Sequence, residues 1–91
     1  MPETLQILHY EYVPDIVERR QPHRAGHLEL IGQWHGDDRI VMAGAVGDPP
    51  HGGLFVFRDA ADAEAFTRED PYVEAGLVTA WRVEPWTVVT R

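Results

Sequence analysis

The sequence predicts a single α+β domain of the ferredoxin-like type: a four-stranded antiparallel sheet with both helices on one face. Three observations lead there. Ninety-one residues hold one domain, spanning 1–91, and leave no room for a second. Strand-like and helix-like stretches follow one another as β-α-β-β-α-β, which is the ferredoxin-like order. The strand-like stretches are also apolar on both faces, whereas two helices can cover only one.

Residues 4–12, "TLQILHYEY", are β-branched, aromatic and partly alternating, which marks a first strand. Pro14 ends it, and Asp15 is placed to cap an opening turn before Ile16. The stretch "PDIVERRQPHRAGHLELIGQWHG" carries apolar residues at helical spacing, interrupted by Pro22. The continuous helix is therefore expected over 22–35, with Gly36 as its stop. "DDRIVMAGAV" (37–46) is a short turn and an apolar run, hence a second strand. "GDPPHGG" (47–53) is the clearest loop in the chain and suits a hairpin connection. "LFVFRD" (54–59) is a third strand. Residues 59–70 open on an Asp cap and are rich in alanine, predicting a second helix that carries Phe66 inward. "PYVEAG" is a helical turn, and 77–89 a final strand with Pro85 suited to an edge or bulge.

In the first strand Leu5 and Ile7 point one way, while Leu8, Tyr10 and Tyr12 point the other. In the third, Leu54 and Val56 oppose Phe55 and Phe57. A sheet that is apolar on both faces needs a second cover, and this chain has nothing left to supply it. A homodimer packed sheet against sheet is the economical expectation.

Composition narrows the function. No cysteine is present, so disulfides, thiolate nucleophiles and thiolate metal sites are excluded. All eight basic residues are Arg, so no lysine is available for Schiff-base chemistry. A formal charge of −7 and a pI near 5.0 argue against a nucleic-acid or anionic-membrane partner. No apolar run approaches the roughly 18–20 residues that span a bilayer, and the N-terminus lacks a basic segment before its short apolar stretch. A cytoplasmic location is the expectation. The nucleophile-elbow and Walker patterns are absent.

The remaining chemistry concentrates in two places. At about 100° per residue, Leu30, Ile31 and Trp34 fall within roughly 60° of His27, so this histidine sits inside the apolar stripe of its helix. It is either a satisfied core histidine or the wall of a pocket. Arg24, one turn earlier, is an exposed helix arginine or a cation presented to that same space. Asp70 stands directly before Pro71, the pattern of an N-cap with proline at the first helical position. Capping leaves one carboxylate oxygen free to meet an imidazole. Tyr72 is core packing or a hydroxyl lent to a site. His23 and His27 have the i, i+4 spacing of shared metal ligands, but no HExxH or Cys supports them, and neither a metal nor a cofactor is expected.

"RAGHLELI" (24–31), "GDDRIVMAGAV" (36–46), "EDPYVEAGLV" (69–78) and "VEPW" (83–86) together resemble the YciI-like (YCII-related) proteins. Their pattern is an Arg-x-x-His-Leu helix, a strand ending Ala-Gly, an Asp-Pro-Tyr-x-x-Ala-Gly turn and a late Pro-Trp or Pro-Phe. The resemblance runs from about residue 5 to residue 89, with the Asp-Pro-Tyr turn its most specific part. It implies a ferredoxin-like fold assembled as a dimeric α/β barrel, with a His–Asp pair near the dimer interface. By motif the pair is His27 and Asp70, with Arg24 and Tyr72 as companions and Trp34 as a possible apolar wall. Ala45 departs from the proline that many members carry after Ala-Gly, and His23 is no hallmark of the family. The implied activity is cofactor-free proton transfer, as in a lyase or isomerase, on a small hydroxylated or lactone-like compound. A non-catalytic module that binds a small molecule or only dimerises is the alternative, and a cofactor-free monooxygenase a weaker third.

Overall fold

Strand and helix alternate along the chain as β1 (Glu3–Tyr12), α1 (Ile16–Arg19), α2 (Arg24–Gly36), β2 (Ile40–Val46), β3 (Gly52–Phe57), α3 (Ala60–Glu69), α4 (Pro71–Glu74) and β4 (Val78–Val88). This is a computed structural model, and it describes residues 2–91. The strands form one sheet in the order β2-β3-β1-β4. Every neighbouring pair is antiparallel, so the ferredoxin-like α+β arrangement is the observed one.

The core lies between one sheet face and the helices. Leu8 and Tyr10 of β1 and Phe55 and Phe57 of β3 meet Trp34 of α2 and Ala63 and Phe66 of α3. Phe66 is the centre of an aromatic cluster, with ring centroids 5.3 Å from Phe55, 5.4 Å from Trp34 and 5.6 Å from Phe57. Strand alternation sends Leu5 and Val56 to the opposite face, where they pack with Val88. That face stays open. Met42, Leu54 and Trp86 are exposed beside Ile7 along a shallow apolar groove of about 420 Å³. Towards the other end of the same face the character turns polar, with His9 Nε2 2.6 Å from Glu84 Oε2 and Arg82 alongside.

Several element boundaries differ from the sequence-based expectation for identifiable reasons. The long helix begins at Arg24 rather than at Pro22, because residues 20–23 close a separate turn in which the His23 amide donates to the Arg20 carbonyl at 2.8 Å. Asp15 occupies the N-cap position of α1 but makes no capping hydrogen bond. Its carboxylate instead lies 3.7 Å from Arg19. Strand β3 starts two residues earlier than expected, since Gly52 and Gly53 belong to the ladder opposite Glu11 and Tyr10. A Cβ on Gly52 would collide with the Tyr10 carbonyl, so these glycines are a close approach of two strands, not loop residues. Asp59 caps α3 as expected, accepting from the Ala61 amide at 2.9 Å. Pro85 lies in β4, an edge strand.

Because Phe66 fills the centre of this cluster, Phe66→Ala should destabilise the protein by about 3–5 kcal/mol. Urea unfolding followed by tryptophan fluorescence measures this loss.

Candidate active site

The chain brings His27 and Asp70 together. Asp70 follows α3 in extended geometry and opens α4, so its backbone position is set by the proline after it. Its Oδ1 accepts the Tyr72 amide at 3.0 Å, which is the expected cap. The same oxygen lies 2.7 Å from His27 Nδ1, and Oδ2 accepts the Tyr10 hydroxyl at 2.7 Å. Asp70 is 1 % exposed and His27 5 %. A carboxylate so far from water is tolerated only when its lone pairs are filled, and here three donors fill them. A carboxylate has no proton to give, so Nδ1 is the donor in this bond. Nε2 has no hydrogen-bond partner among the described residues.

Packing holds the imidazole in place. The ring of Tyr72 stacks on it with centroids 3.7 Å apart and planes 5° from parallel, and Phe55 meets it edge-on at 6.0 Å. Helix α2 comes close enough to Asp70 because Gly26 presents no side chain to α4. A Cβ there would stand 3.3 Å from Pro71 Cγ. A glycine inside a helix costs about 1 kcal/mol relative to alanine, and this one is what the approach of the two helices needs.

In front of the pair lies a cavity of about 260 Å³ between α2, the turn after α1 and strand β2. Arg24, His27 and Tyr72, all expected as site residues, line it. Trp34 does not. It is 3 % exposed in the core against Phe57 and Phe66, with Arg39 stacked 3.7 Å above its ring. Two turns of helix separate it from His27, and its ring packs on Phe57 of β3 and Phe66 of α3. The apolar wall comes instead from Leu28, Ile31 and Phe55.

Three participants were not singled out from sequence. Tyr10 looked like an ordinary inward strand residue, and its bond to a carboxylate 60 positions away has no local signal. Tyr12 and Arg20 also line the cavity. Arg20 precedes His27 by seven residues, a spacing that would suggest a shared helix face, but a turn at residues 20–23 interrupts the helix between them. Burial, reinforced by the charge of Asp70, pushes the phenols of Tyr10 and Tyr12 well above the usual tyrosine range, and for Tyr12 the guanidiniums of Arg20 and Arg24 oppose that rise. Burial also raises the Tyr72 phenol, with Arg24 and Arg20 pulling it back. His23 caps no helix through its side chain and does not line the cavity, and no cluster of three His, Cys, Asp or Glu side chains among the described residues is arranged to hold a metal ion.

The chain matches the YCII-related domain over residues 4–87, and it belongs to that family. Among solved structures it is similar to 5-chloro-2-hydroxyhydroquinone dehydrochlorinase from Burkholderia phenoliruptrix, determined in complex with 2,5-dihydroxybenzoquinone. Identity is 22 % over 91 % of this chain and 93 % of that one, with a TM-score of 0.74. A protein of unknown function from Nitrosomonas europaea is 16 % identical over 100 % of this chain and 93 % of its own, at a TM-score of 0.56. An antibiotic biosynthesis monooxygenase is 12 % identical over 96 % and 99 %, also at 0.56. At these identities the likeness establishes a shared fold. No curated protein matches the chain significantly.

Tyr10→Phe should cost about 1.5–3 kcal/mol at neutral pH, the usual worth of a hydrogen bond to a charged group. The raised phenols also set a pH limit. An unfolded tyrosine ionises near pH 10 and the folded Tyr10 and Tyr12 only above that, so their contribution is whole below about pH 10 and is lost as pH rises further. Urea midpoints measured between pH 8 and 11 should fall only at the alkaline end, and fall less steeply in Tyr10→Phe.

Proposed function

We propose that this protein is a small cofactor-free enzyme that moves protons on a single-ring hydroxylated or lactone-like compound, by lyase or isomerase chemistry. One observation carries the reading: an imidazole held through Nδ1 by a buried carboxylate at the wall of a cavity. His27 Nε2 is the base that takes a proton from the substrate and returns it at another atom. In an elimination, a leaving group departs with its bonding electron pair as the proton is removed, so no external oxidant or reductant is needed. Asp70 fixes the tautomer and stabilises the imidazolium formed in that step. Arg24 holds an anionic oxygen of the substrate. The cavity, about 260 Å³, lies below the roughly 300–1,000 Å³ of sites for drug-sized ligands and suits one ring. The dehydrochlorinase of this fold, named for a chlorinated hydroxyhydroquinone, supports the substrate class.

A second reading has its own observation. Asp70 is already satisfied as the cap of α4 and the acceptor of Tyr10, which a non-catalytic binding module also requires. The two separate cleanly. Under the enzymatic reading, His27→Ala and Asp70→Asn each lower turnover of chlorinated hydroxyhydroquinones by about 10²- to 10⁴-fold while the fold persists, read as chloride release and quinone absorbance. Asparagine caps a helix about as well as aspartate, so wild-type activity in Asp70→Asn would return Asp70 to a structural role.

We also propose that the protein is a homodimer joined through the open sheet face. Met42, Leu54 and Trp86 are large, apolar and exposed on one continuous surface that no element of the chain covers. Leu54→Arg places an unpaired charge in that surface and should convert a dimer to monomer in sedimentation equilibrium. A wild type that is monomeric at all concentrations would refute the assembly.

A further inference from the structure

The arginines of this acidic chain are mostly spoken for. Arg19, Arg39, Arg58, Arg82 and Arg91 each lie against a carboxylate. Of the other three, Arg68 is exposed on α3, whereas Arg20 and Arg24 both line the cavity beside His27. With fifteen acidic side chains to choose from, the two cations at the cavity pair with none. Arg20 Nε is buried without a hydrogen-bond partner among the described residues, and the buried Tyr72 hydroxyl, beside the Arg24 guanidinium in the same cavity, has no acceptor for its proton among them. Buried donors without acceptors are costly and are retained where a ligand completes them. The cavity thus carries two cations against the single buried carboxylate of Asp70, inside a protein whose formal charge is −7. The local field attracts an anion that the whole molecule repels.

We infer that Arg20 is a specificity-determining residue. Together with Arg24 and the Tyr72 hydroxyl, it anchors an oxyanion pair on the ligand, either a carboxylate or two ring oxyanions. This rests on the reading of the cavity as a small-molecule site and names the charge its ligand must bear. The guanidinium fork presents parallel N–H groups, Nε among them, that match a planar pair of oxygens. Tyr72 is locked against the imidazole by stacking, so the anchor stands at a fixed place relative to the base. A ligand held there by its oxygens has its orientation towards His27 Nε2 set before any proton moves.

The test is direct binding, by calorimetry or amide NMR shifts, of 2,5-dihydroxybenzoquinone, 2,5-dihydroxybenzoate and hydroquinone at pH 7. The first carries ring oxyanions, the second a carboxylate, and the third is the neutral ring. At least one anion should bind and hydroquinone should not, and the anion that binds identifies which oxyanion pair the site takes. Arg20→Gln should weaken that anion about ten- to a hundred-fold, the range for a lost charged hydrogen bond. Arg20→Lys keeps the stem and the charge but not the fork. It should lose several-fold and stands in if Arg20→Gln does not fold. Equal binding of hydroquinone, unchanged anion affinity in the Arg20 variants, or no binding of either anion overturns the assignment. Binding is read without turnover, so the anchor can stand where chlorinated hydroxyhydroquinones are not converted and the enzymatic reading fails.

Discussion

The Asp70 carboxylate is the group around which the rest of the site is built. Leaving a carboxylate in the interior costs several kcal/mol unless its lone pairs are filled, and here the donors come from three separate elements: Tyr10 of β1, His27 of α2 and the Tyr72 amide of α4. Each donor is thereby fixed. The strand, the long helix and the short helix converge on one atom pair, which holds the imidazole through Nδ1. The proline after Asp70 supports this cheaply, because it restricts the backbone before the tertiary contacts form.

A second constraint is the unequal cover of the sheet. The helices bury Leu8, Tyr10, Phe55 and Phe57, and the cavity opens between α2 and the edge strand β2, beside Ala43 and Ala45. Small residues on that strand leave space that larger ones would close. The opposite face keeps Leu54, Met42 and Trp86 exposed while polar groups gather at His9, Arg82 and Glu84. One face makes the site and the other remains available for association. A single chain of this size cannot do both with its own helices.

Charge distribution links the two. Five arginines are consumed by surface carboxylates, pairs worth little individually because water screens them. Of the three left over, Arg68 is exposed, and Arg20 and Arg24 are partly withdrawn from solvent at the cavity, where an interaction with an anion counts for more. The stack of Tyr72 on His27 and the edge of Phe55 exclude water from one side of the imidazole, leaving the cavity as the approach to Nε2.

The sequence by itself determined the order of elements, the two-faced character of the strands, the caps at Asp59 and Asp70, and the placement of His27 on the apolar stripe of α2. These follow from local rules: alternation in strands, a period near 3.6 in helices, and the restriction that proline imposes on its neighbour. The pairing of His27 with Asp70 was reached only through the family pattern, since 43 residues separate them. Tertiary structure alone decided that Tyr10 completes the carboxylate's shell, that Trp34 belongs to the core, and that Arg20 faces the cavity. It also decided that Gly52 and Gly53 belong to the ladder of β3 and not to the loop. The reason is common to all four. Each depends on which side chains are brought within a few ångströms by the sheet register and by the turn at residues 20–23, and neither is encoded in the spacing of residues along the chain.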